Sequence, residues 1–219
     1  MLVQFSFKNI LSFKEETVLD MTAVNAYKEH EYNLIEGKAE RFLKVAAIYG
    51  ANASGKSNFI YAYDFFRDIV IKSSNNIESD EESIIEKKYF PYGGEEENSE
   101  FQIISIINDF EYKYGFEYND NQIVSEWLYR KSLKTNRTSI ILERDEDGTI
   151  SFGASIRKEC EVFGKQVRTE ELALSYFQRL KIKSTIFKEI YEEITNTFAC
   201  SSDTFEDMKI INKFVPIMI

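Results

Sequence analysis

Residues 50–57 read GANASGKS and fit the pattern G-x-x-x-x-G-K-[S/T] without a mismatch. This pattern is typical of a loop whose backbone N–H groups surround the phosphates of a nucleotide. Gly50 and Gly55 let the backbone turn tightly and approach the phosphates without a Cβ atom in the way. Lys56 would place its ammonium on the β- and γ-phosphates, and the Ser57 hydroxyl would complete the coordination of Mg²⁺. The sequence therefore predicts a site for ATP with Mg²⁺.

The backbone of the same loop carries the rest of the predicted site. Successive N–H groups from about Asn52 to Ser57 would point inward at the anion, and a helix that begins near Gly55 would add the positive end of its dipole. The residues predicted to bind nucleotide in this stretch are Gly50, Asn52, Ala53, Ser54, Gly55, Lys56, Ser57 and Asn58. The alternative interpretation is a glycine-containing turn that binds nothing.

The segments on either side of the loop support the phosphate-binding interpretation. Residues 44–49, KVAAIY, are apolar at consecutive positions and end at a glycine, which predicts a strand buried on both faces. After the loop, Phe59, Tyr63, Phe66 and Val70 recur at spacings of 4, 3 and 4, which predicts a helix with one apolar face. A strand before the loop and a helix after it are the context that the pattern requires.

The remaining chain divides into strands first and helices last. Apolar residues alternate over residues 3–7, a second short strand is expected over 17–21, and residues 23–42 are expected to form a loop. Strand patterns then follow one another between turns at 108–109, 119–121 and 145–148, which predicts an antiparallel meander. Predicted helices follow, one on Phe187, Ile190, Ile194 and Phe198 and another over residues 204–214. The predicted fold class is α/β, in one domain over residues 1–219, with strands and the P-loop unit in 1–72, the meander in 100–155 and helices in 168–215.

Composition excludes several classes of protein. The 219 residues are 43% hydrophobic and 15% aromatic, so the chain can bury a core, and no apolar run approaches the length of a membrane span. Because 27 Lys and Arg face 37 Asp and Glu, the net charge is −10, which does not favour binding of DNA or of an anionic membrane by this segment. One His and two Cys argue against His-based catalysis, a zinc site or a disulfide scaffold. The N-terminus does not resemble a signal peptide, so a cytoplasmic location is expected.

Four stretches resemble known ATPases. Residues 50–58, GANASGKSN, look like the Walker A motif of ABC-type ATPase heads in the SMC, RecF and OLD-nuclease lineage, and residues 7–14, FKNILSFK, resemble the N-F-x-S-F start of those heads. Residues 101–115 and 123–129 resemble the antiparallel sheet of prokaryotic AAA-family, RecF-like ATPases. The resemblance implies that the opening segment lies near the nucleotide, where Lys14 or Lys8 can touch it. It also implies ATP-driven dimerisation of heads, in phage defence or DNA-linked work.

The catalytic motifs of a complete head are not evident after Ser57. Asp109 and Glu143 each follow an apolar run like a Walker B residue, but both lead into turns, and Leu174-Ser175 lacks the glycines of a signature motif. The chain is therefore expected to be a head truncated before the signature and Walker B motifs, which binds ATP weakly and turns it over slowly alone. Its expected partner is a second copy or a complementary C-terminal half. Two other functions stay open: a non-hydrolysing nucleotide-binding or interaction fragment, and a small P-loop kinase.

Overall fold

A seven-stranded antiparallel sheet forms the frame of the computed structural model, which describes residues 1–24, 26, 30–38, 40–73 and 88–197. The strands are β1 (Leu2–Lys8), β2 (Thr17–Asp20), β3 (Leu34–Glu36), β4 (Arg41–Leu43), β5 (Ser99–Ile107), β6 (Phe110–Tyr118), β7 (Ile123–Ser132), β8 (Thr138–Arg144) and β9 (Ile150–Phe152). The helices are α1 (Lys56–Lys72), α2 (Arg157–Gly164), α3 (Ala173–Gln178) and α4 (Ile186–Asn196), with a short 3-10 helix at Glu31–Asn33. The large sheet has the order β2-β1-β5-β6-β7-β8-β9, and β3 pairs with β4 apart from it.

The structure confirms the predicted meander, since β5 to β9 each pair with the next strand along the chain. Short connections set the register of these neighbouring strands. Asn108 at the β5–β6 turn has φ 55° and Gly148 at the β8–β9 turn has φ 80°, the left-handed backbone that tight hairpins need. The pairing is regular along all of β5 and β6, from Ser99 opposite Tyr118 to Ile107 opposite Phe110. Side chains on β5 alternate between buried and half-buried positions, so one face of the sheet makes the core.

Helix α1 packs on that face through aromatic residues. Phe66 lies 5.5 Å from Phe5, 5.6 Å from Phe101 and 5.9 Å from Phe116 between ring centroids, and all four side chains are fully buried. Aromatic pairs at such distances each contribute about 0.5–1.5 kcal/mol beyond the burial of their area. The predicted apolar face of the helix is confirmed, and this packing holds α1 on the sheet.

Two expectations about the elements are changed by the structure, and a third lies outside the described residues. The strand predicted over residues 44–49 is wrong: this segment has no strand partner among the described residues and is exposed. The loop predicted over residues 23–42 instead contains β3 and β4, which are too short to show a pattern of alternation. The predicted helix over 204–214 and Phe198 lie outside the described residues, whereas the rest of that apolar pattern forms α4 as expected. The fold is α/β, and its strand pairs within the described part of the chain are all antiparallel.

Asp109 lies at the turn between β5 and β6, as its turn-like context predicted. Its carboxylate accepts hydrogen bonds from Lys134 and Lys38, which hold the pKa of Asp109 down at about 2. Lys38 lies in the β3–β4 connection and Lys134 in the β7–β8 connection. Asp109 therefore joins the β5–β6 turn to both of these connections. Asp109 is therefore part of a surface ion network.

We expect Asp109→Asn to leave nucleotide binding and any ATP turnover unchanged. Because the folded pKa of Asp109 lies below its ordinary value of 3.8, the carboxylate stabilises the fold above pH 3.8 and loses that effect as the pH falls towards 2. The variant should therefore melt slightly earlier than the parent at neutral pH and low salt, and at the same temperature at high salt. Thermal melts at both salt concentrations check this, and a loss of ATP turnover would instead make Asp109 a catalytic residue.

In the part of the chain that the structure describes, no helix combines the length and hydrophobicity that a membrane span needs.

Candidate nucleotide-binding site

The loop before α1 has the backbone of an anion-binding nest. Ala53 has φ 62° and Gly55 has φ 92°, whereas Ser54 between them keeps a negative φ. Alternation between right- and left-handed residues turns successive N–H groups towards one point, where they can surround an anion. Gly55 is also the residue that caps α1, so the loop and the positive end of the helix dipole coincide.

Lys56 closes this loop with its own side chain. Its Nζ donates to the carbonyl oxygens of Gly50 at 2.9 Å and Ala51 at 2.7 Å. No carboxylate of a described residue lies within ion-pair distance of this ammonium. Within the described ranges the positive charge therefore faces only neutral dipoles, and an anionic oxygen would be a stronger partner for it.

Ser57 follows Lys56 in the first turn of α1. Its side chain is exposed, and its hydroxyl has no hydrogen-bond partner among the described residues. Asn58, the next residue, is half-buried. No group of three or more His, Cys, Asp or Glu in the described ranges is arranged to hold a metal ion. A Mg²⁺ ion at this helix end would therefore depend on the Ser57 hydroxyl, phosphate oxygens and water.

The connection between β1 and β2 lies directly against the loop. A Cβ atom added at Gly55 would lie 3.1 Å from both the Ser12 hydroxyl oxygen and the Phe13 ring. Phe13 is anchored by edge contacts with Phe7 and Phe59, at 5.1 and 6.4 Å between ring centroids. The opening segment is therefore next to the loop, and the contact is made by Ser12 and Phe13.

Residues 45–179 match the family model described as an AAA domain, putative AbiEii toxin, of type IV toxin–antitoxin systems. The chain belongs to this AAA-domain family. Membership implies a P-loop domain that binds nucleotide, typically with Mg²⁺, and acts as an ATPase in general terms. No curated protein matches the chain.

Lys14 of this AAA domain lies beside Glu97, in the segment that leads into β5, and makes no ion pair with a described residue of the P-loop. Its Nζ is 3.5 Å from a carboxylate oxygen of Glu97, and Lys8 approaches the same carboxylate at 3.8 Å. Both lysines are more than a third exposed, so these ion pairs are weak and can exchange. The role predicted for Lys14 at the nucleotide stays a prediction. Ser12 and Phe13 were missed because nothing local in the sequence says which side chain of the connection faces Gly55.

Asn9 fixes the β1–β2 connection of this AAA domain and is fully buried. Its amide nitrogen donates to the carbonyl oxygens of Gly94 at 2.8 Å and Glu97 at 2.9 Å, and its amide oxygen accepts from Phe90 N at 3.0 Å. Ser99 Oγ donates to the Asn9 carbonyl at 2.8 Å. One side chain thus joins the connection that touches the P-loop to the segment that leads into β5.

We expect Asn9→Ala to lower the free energy of unfolding by about 2–3 kcal/mol, because it leaves buried backbone groups unpaired. Asn9 has φ 54°, so part of the loss would come from placing alanine in left-handed backbone. The matched control is Asn108→Ala, since Asn108 has φ 55° but is exposed and makes no side-chain hydrogen bond to a described residue. Urea unfolding of the two variants gives the comparison, and equal losses would mean that the Asn9 amide adds nothing.

The other two candidate motif residues serve the fold. Glu143 on β8 accepts a hydrogen bond from the Tyr129 hydroxyl at 2.7 Å, across to β7. Ser175 on α3 is fully buried and donates to Val70 O at 2.6 Å, which joins α3 to the end of α1. Both residues make hydrogen bonds that join elements of the fold, and the interpretation that neither is a Walker B or signature residue stays a prediction.

Proposed function

We propose that this AAA domain binds ATP with Mg²⁺ through residues 50–58 and is the nucleotide-binding part of a RecF/SMC-like ATPase. The observation that carries the proposal is the Lys56 ammonium, held at the mouth of an anion nest by two neutral carbonyl oxygens. On binding, the β- and γ-phosphates would take the ammonium from Gly50 and Ala51, because a charged acceptor makes a stronger hydrogen bond than a neutral one.

The remaining residues of the loop have defined parts in this proposal. Backbone N–H groups of Asn52, Ala53, Ser54 and Gly55 would hold phosphate oxygens, and the Ser57 hydroxyl would bind Mg²⁺. Asn58 and Lys14 would lie at the edge of the site. Magnesium would neutralise charge on the phosphates and hold them in one geometry.

Support for the RecF/SMC-like type comes from the β1–β2 connection, whose Ser12 and Phe13 lie against Gly55. In such heads ATP joins two subunits, so we propose either a second copy or a complementary chain as the partner. The family description names a toxin of a type IV toxin–antitoxin system, and we propose phage defence or DNA-linked work as the setting. We assign no catalytic residue, since Asp109 and Glu143 serve structural contacts. Turnover by this chain alone should be slow.

A second candidate is a module that binds nucleotide without hydrolysing it and regulates a partner. It is favoured by the same structural roles of Asp109 and Glu143. The two candidates differ only in turnover, because both require the P-loop to bind.

The test is to titrate the purified chain with a fluorescent ATP analogue in Mg²⁺ and in EDTA, and to measure phosphate release in parallel. We expect saturable binding that weakens in EDTA and is competed by unlabelled ATP, with little phosphate released. Fast release of phosphate would overturn the expectation of slow turnover. Asp109 and Glu143 would then be the first residues to mutate. Absence of binding in both buffers would overturn the proposed function.

A further inference from the structure

A small cavity lies beside the β8–β9 turn. It has a volume of about 80 Å³ and is lined by residues from the start of β7, the β8–β9 turn and the connection between α2 and α3. Residues 50–58, all of which the structure describes, do not line it. Because one molecule of liquid water takes about 30 Å³, the cavity has room for a small organic molecule but not for a nucleotide.

A buried cation with unused hydrogen-bonding capacity lines this cavity. Arg144 is only 4% exposed, and its Nε has no hydrogen-bond partner among the described residues. Its Nη2 donates to Glu171 O at 2.8 Å, whereas the bonds to Thr169 O and Arg168 O are long, at 3.4 and 3.5 Å. Because a buried donor without an acceptor destabilises the fold, an acceptor oxygen in the cavity would bind favourably.

Two buried carboxylates lie near Arg144, but their described hydrogen bonds go elsewhere. Glu126 is directly opposite Arg144 in the pairing of β7 with β8, and it accepts from Tyr114 and from the first N–H groups of α3. Glu171 accepts from Arg179 at 2.8 Å. These carboxylates balance the charge of Arg144 without satisfying its Nε, so the remaining acceptor has to come from the cavity.

The rim of the cavity carries charges of both signs. Arg168 comes from the α2–α3 connection, Glu146 and Asp147 come from the β8–β9 turn, and all three are exposed. The hydrogen bond from Thr149 N, at 2.9 Å, holds the pKa of Asp147 below its usual range, so this carboxylate is ionised at neutral pH. A carboxylate has about four acceptor sites, so Asp147 can bind an ammonium group as well.

We propose that this cavity binds a small free α-amino acid in its zwitterionic form. The carboxylate of the ligand would accept hydrogen bonds from Arg144 and Arg168, because charge-assisted bonds are stronger than those to water. Its ammonium group would bind Asp147 and Glu146. A simple anion would meet the two rim carboxylates and a simple cation would meet the two arginines, so a ligand with both charges fits best. The volume favours glycine, alanine or serine.

The probe is L-alanine, titrated by calorimetry into the purified chain in a buffer free of amino acids. We expect saturable binding and a higher melting temperature, because the ligand would join the β8–β9 turn to the α2–α3 connection. Acetate and ethylamine each carry one of the two charges and should bind at least tenfold more weakly. Alaninamide lacks the carboxylate and leucine exceeds the volume, so both should also bind at least tenfold more weakly.

Variants of the chain locate the site. Asp147→Asn removes a rim charge and keeps an acceptor for Thr149 N, and it should weaken alanine binding at least tenfold. Asp120→Asn is the matched control, since Asp120 is an exposed carboxylate in the β6–β7 turn that does not line the cavity, and it should bind alanine as the parent does. Arg144→Lys should also weaken binding at least tenfold. Circular dichroism checks that each variant folds, and Asp147→Asn decides if Arg144→Lys does not.

Four results would overturn the inference. The first is no saturable binding of alanine, glycine or serine at tens of millimolar by the folded chain. The second is acetate that binds as tightly as alanine, which would make the cavity a site for simple anions. The third is alaninamide that binds as tightly as alanine, which would assign the cavity to the N-terminus of a polypeptide. The fourth is equal loss in Asp147→Asn and Asp120→Asn, which would show a response to general surface charge.

Discussion

Replacing Lys56 by alanine is expected to weaken Mg²⁺–ATP binding roughly 10- to 100-fold, which corresponds to about 1.5–3 kcal/mol for a hydrogen bond to a charged group. Among the described residues, the Lys56 ammonium has only the neutral carbonyl oxygens of Gly50 and Ala51 as partners. The nest of N–H groups stays in the variant, but the positive charge that meets the β- and γ-phosphates does not. Direct titration with the fluorescent ATP analogue measures the effect.

Lys44→Ala is the matched control for this experiment. Lys44 carries the same charge and also donates to a backbone carbonyl, that of Tyr32 at 2.6 Å, but it lies at the far end of the exposed segment. We expect Lys44→Ala to bind ATP as the parent chain does, and both variants to melt at similar temperatures. Equal loss of affinity in both would show that ATP responds to general surface charge, and the P-loop assignment would then be wrong.

The parts of the fold that sequence predicted are those specified by nearby residues. The meander follows from alternation and turn residues, so Asn108 could be placed in a hairpin from its neighbours alone. The start of α1 could be placed because Gly55, Lys56 and Ser57 form a motif of fixed spacing. In both cases the interactions that stabilise the element lie within a few residues of each other.

The segment 44–49 shows why hydrophobicity alone predicts too much. The run VAAIY has the composition of a buried strand, because its apolar side chains favour burial. A strand also needs a partner, and none of the described residues supplies one. The sequence thus identified an apolar segment correctly and placed it wrongly, because burial depends on what else is present.

The sequence did not predict contacts between distant parts of the chain, for a different reason. Asn9 bonds to residues more than 80 positions away, and Phe13 reaches Gly55 through a packed aromatic group. Neither partner is indicated by spacing, because each depends on how β1, β5 and α1 are brought together. The P-loop itself was therefore predictable, but the surface that flanks it was not.

Glu126 is a buried carboxylate that no sequence motif predicts. It lies on β7 with no exposed surface, accepts a hydrogen bond from the Tyr114 hydroxyl at 3.0 Å, and accepts two more from Ala173 N at 2.7 Å and Leu174 N at 2.9 Å. These two N–H groups begin α3, so the carboxylate holds that helix on the sheet. A carboxylate at the start of α3 also interacts favourably with the positive end of the helix dipole.

We expect Glu126→Leu to lower the free energy of unfolding by about 3–5 kcal/mol, because three buried donors lose their acceptor and leucine cannot replace it. Glu126→Gln is the matched control, since it keeps the volume and one acceptor oxygen, and it should lose less than half as much. Urea unfolding at neutral pH gives both values. A loss from Glu126→Leu no larger than that from Glu126→Gln would show that shape rather than hydrogen bonding holds α3.

The pH dependence of stability tests the same carboxylate independently. Burial raises the pKa of Glu126 above its ordinary value of 4.5, although Arg144 and the α3 N–H groups act in the opposite direction. A carboxyl group with a raised pKa in the folded state binds more protons folded than unfolded, so the free energy of unfolding falls as the pH rises from 4.5 through the raised value. Burial also raises the pKa of Glu171, which keeps part of this slope in any variant of Glu126. Glu126→Gln should therefore flatten the decline without removing it, and an unchanged slope would mean that Glu126 titrates in the fold as it does in the unfolded chain.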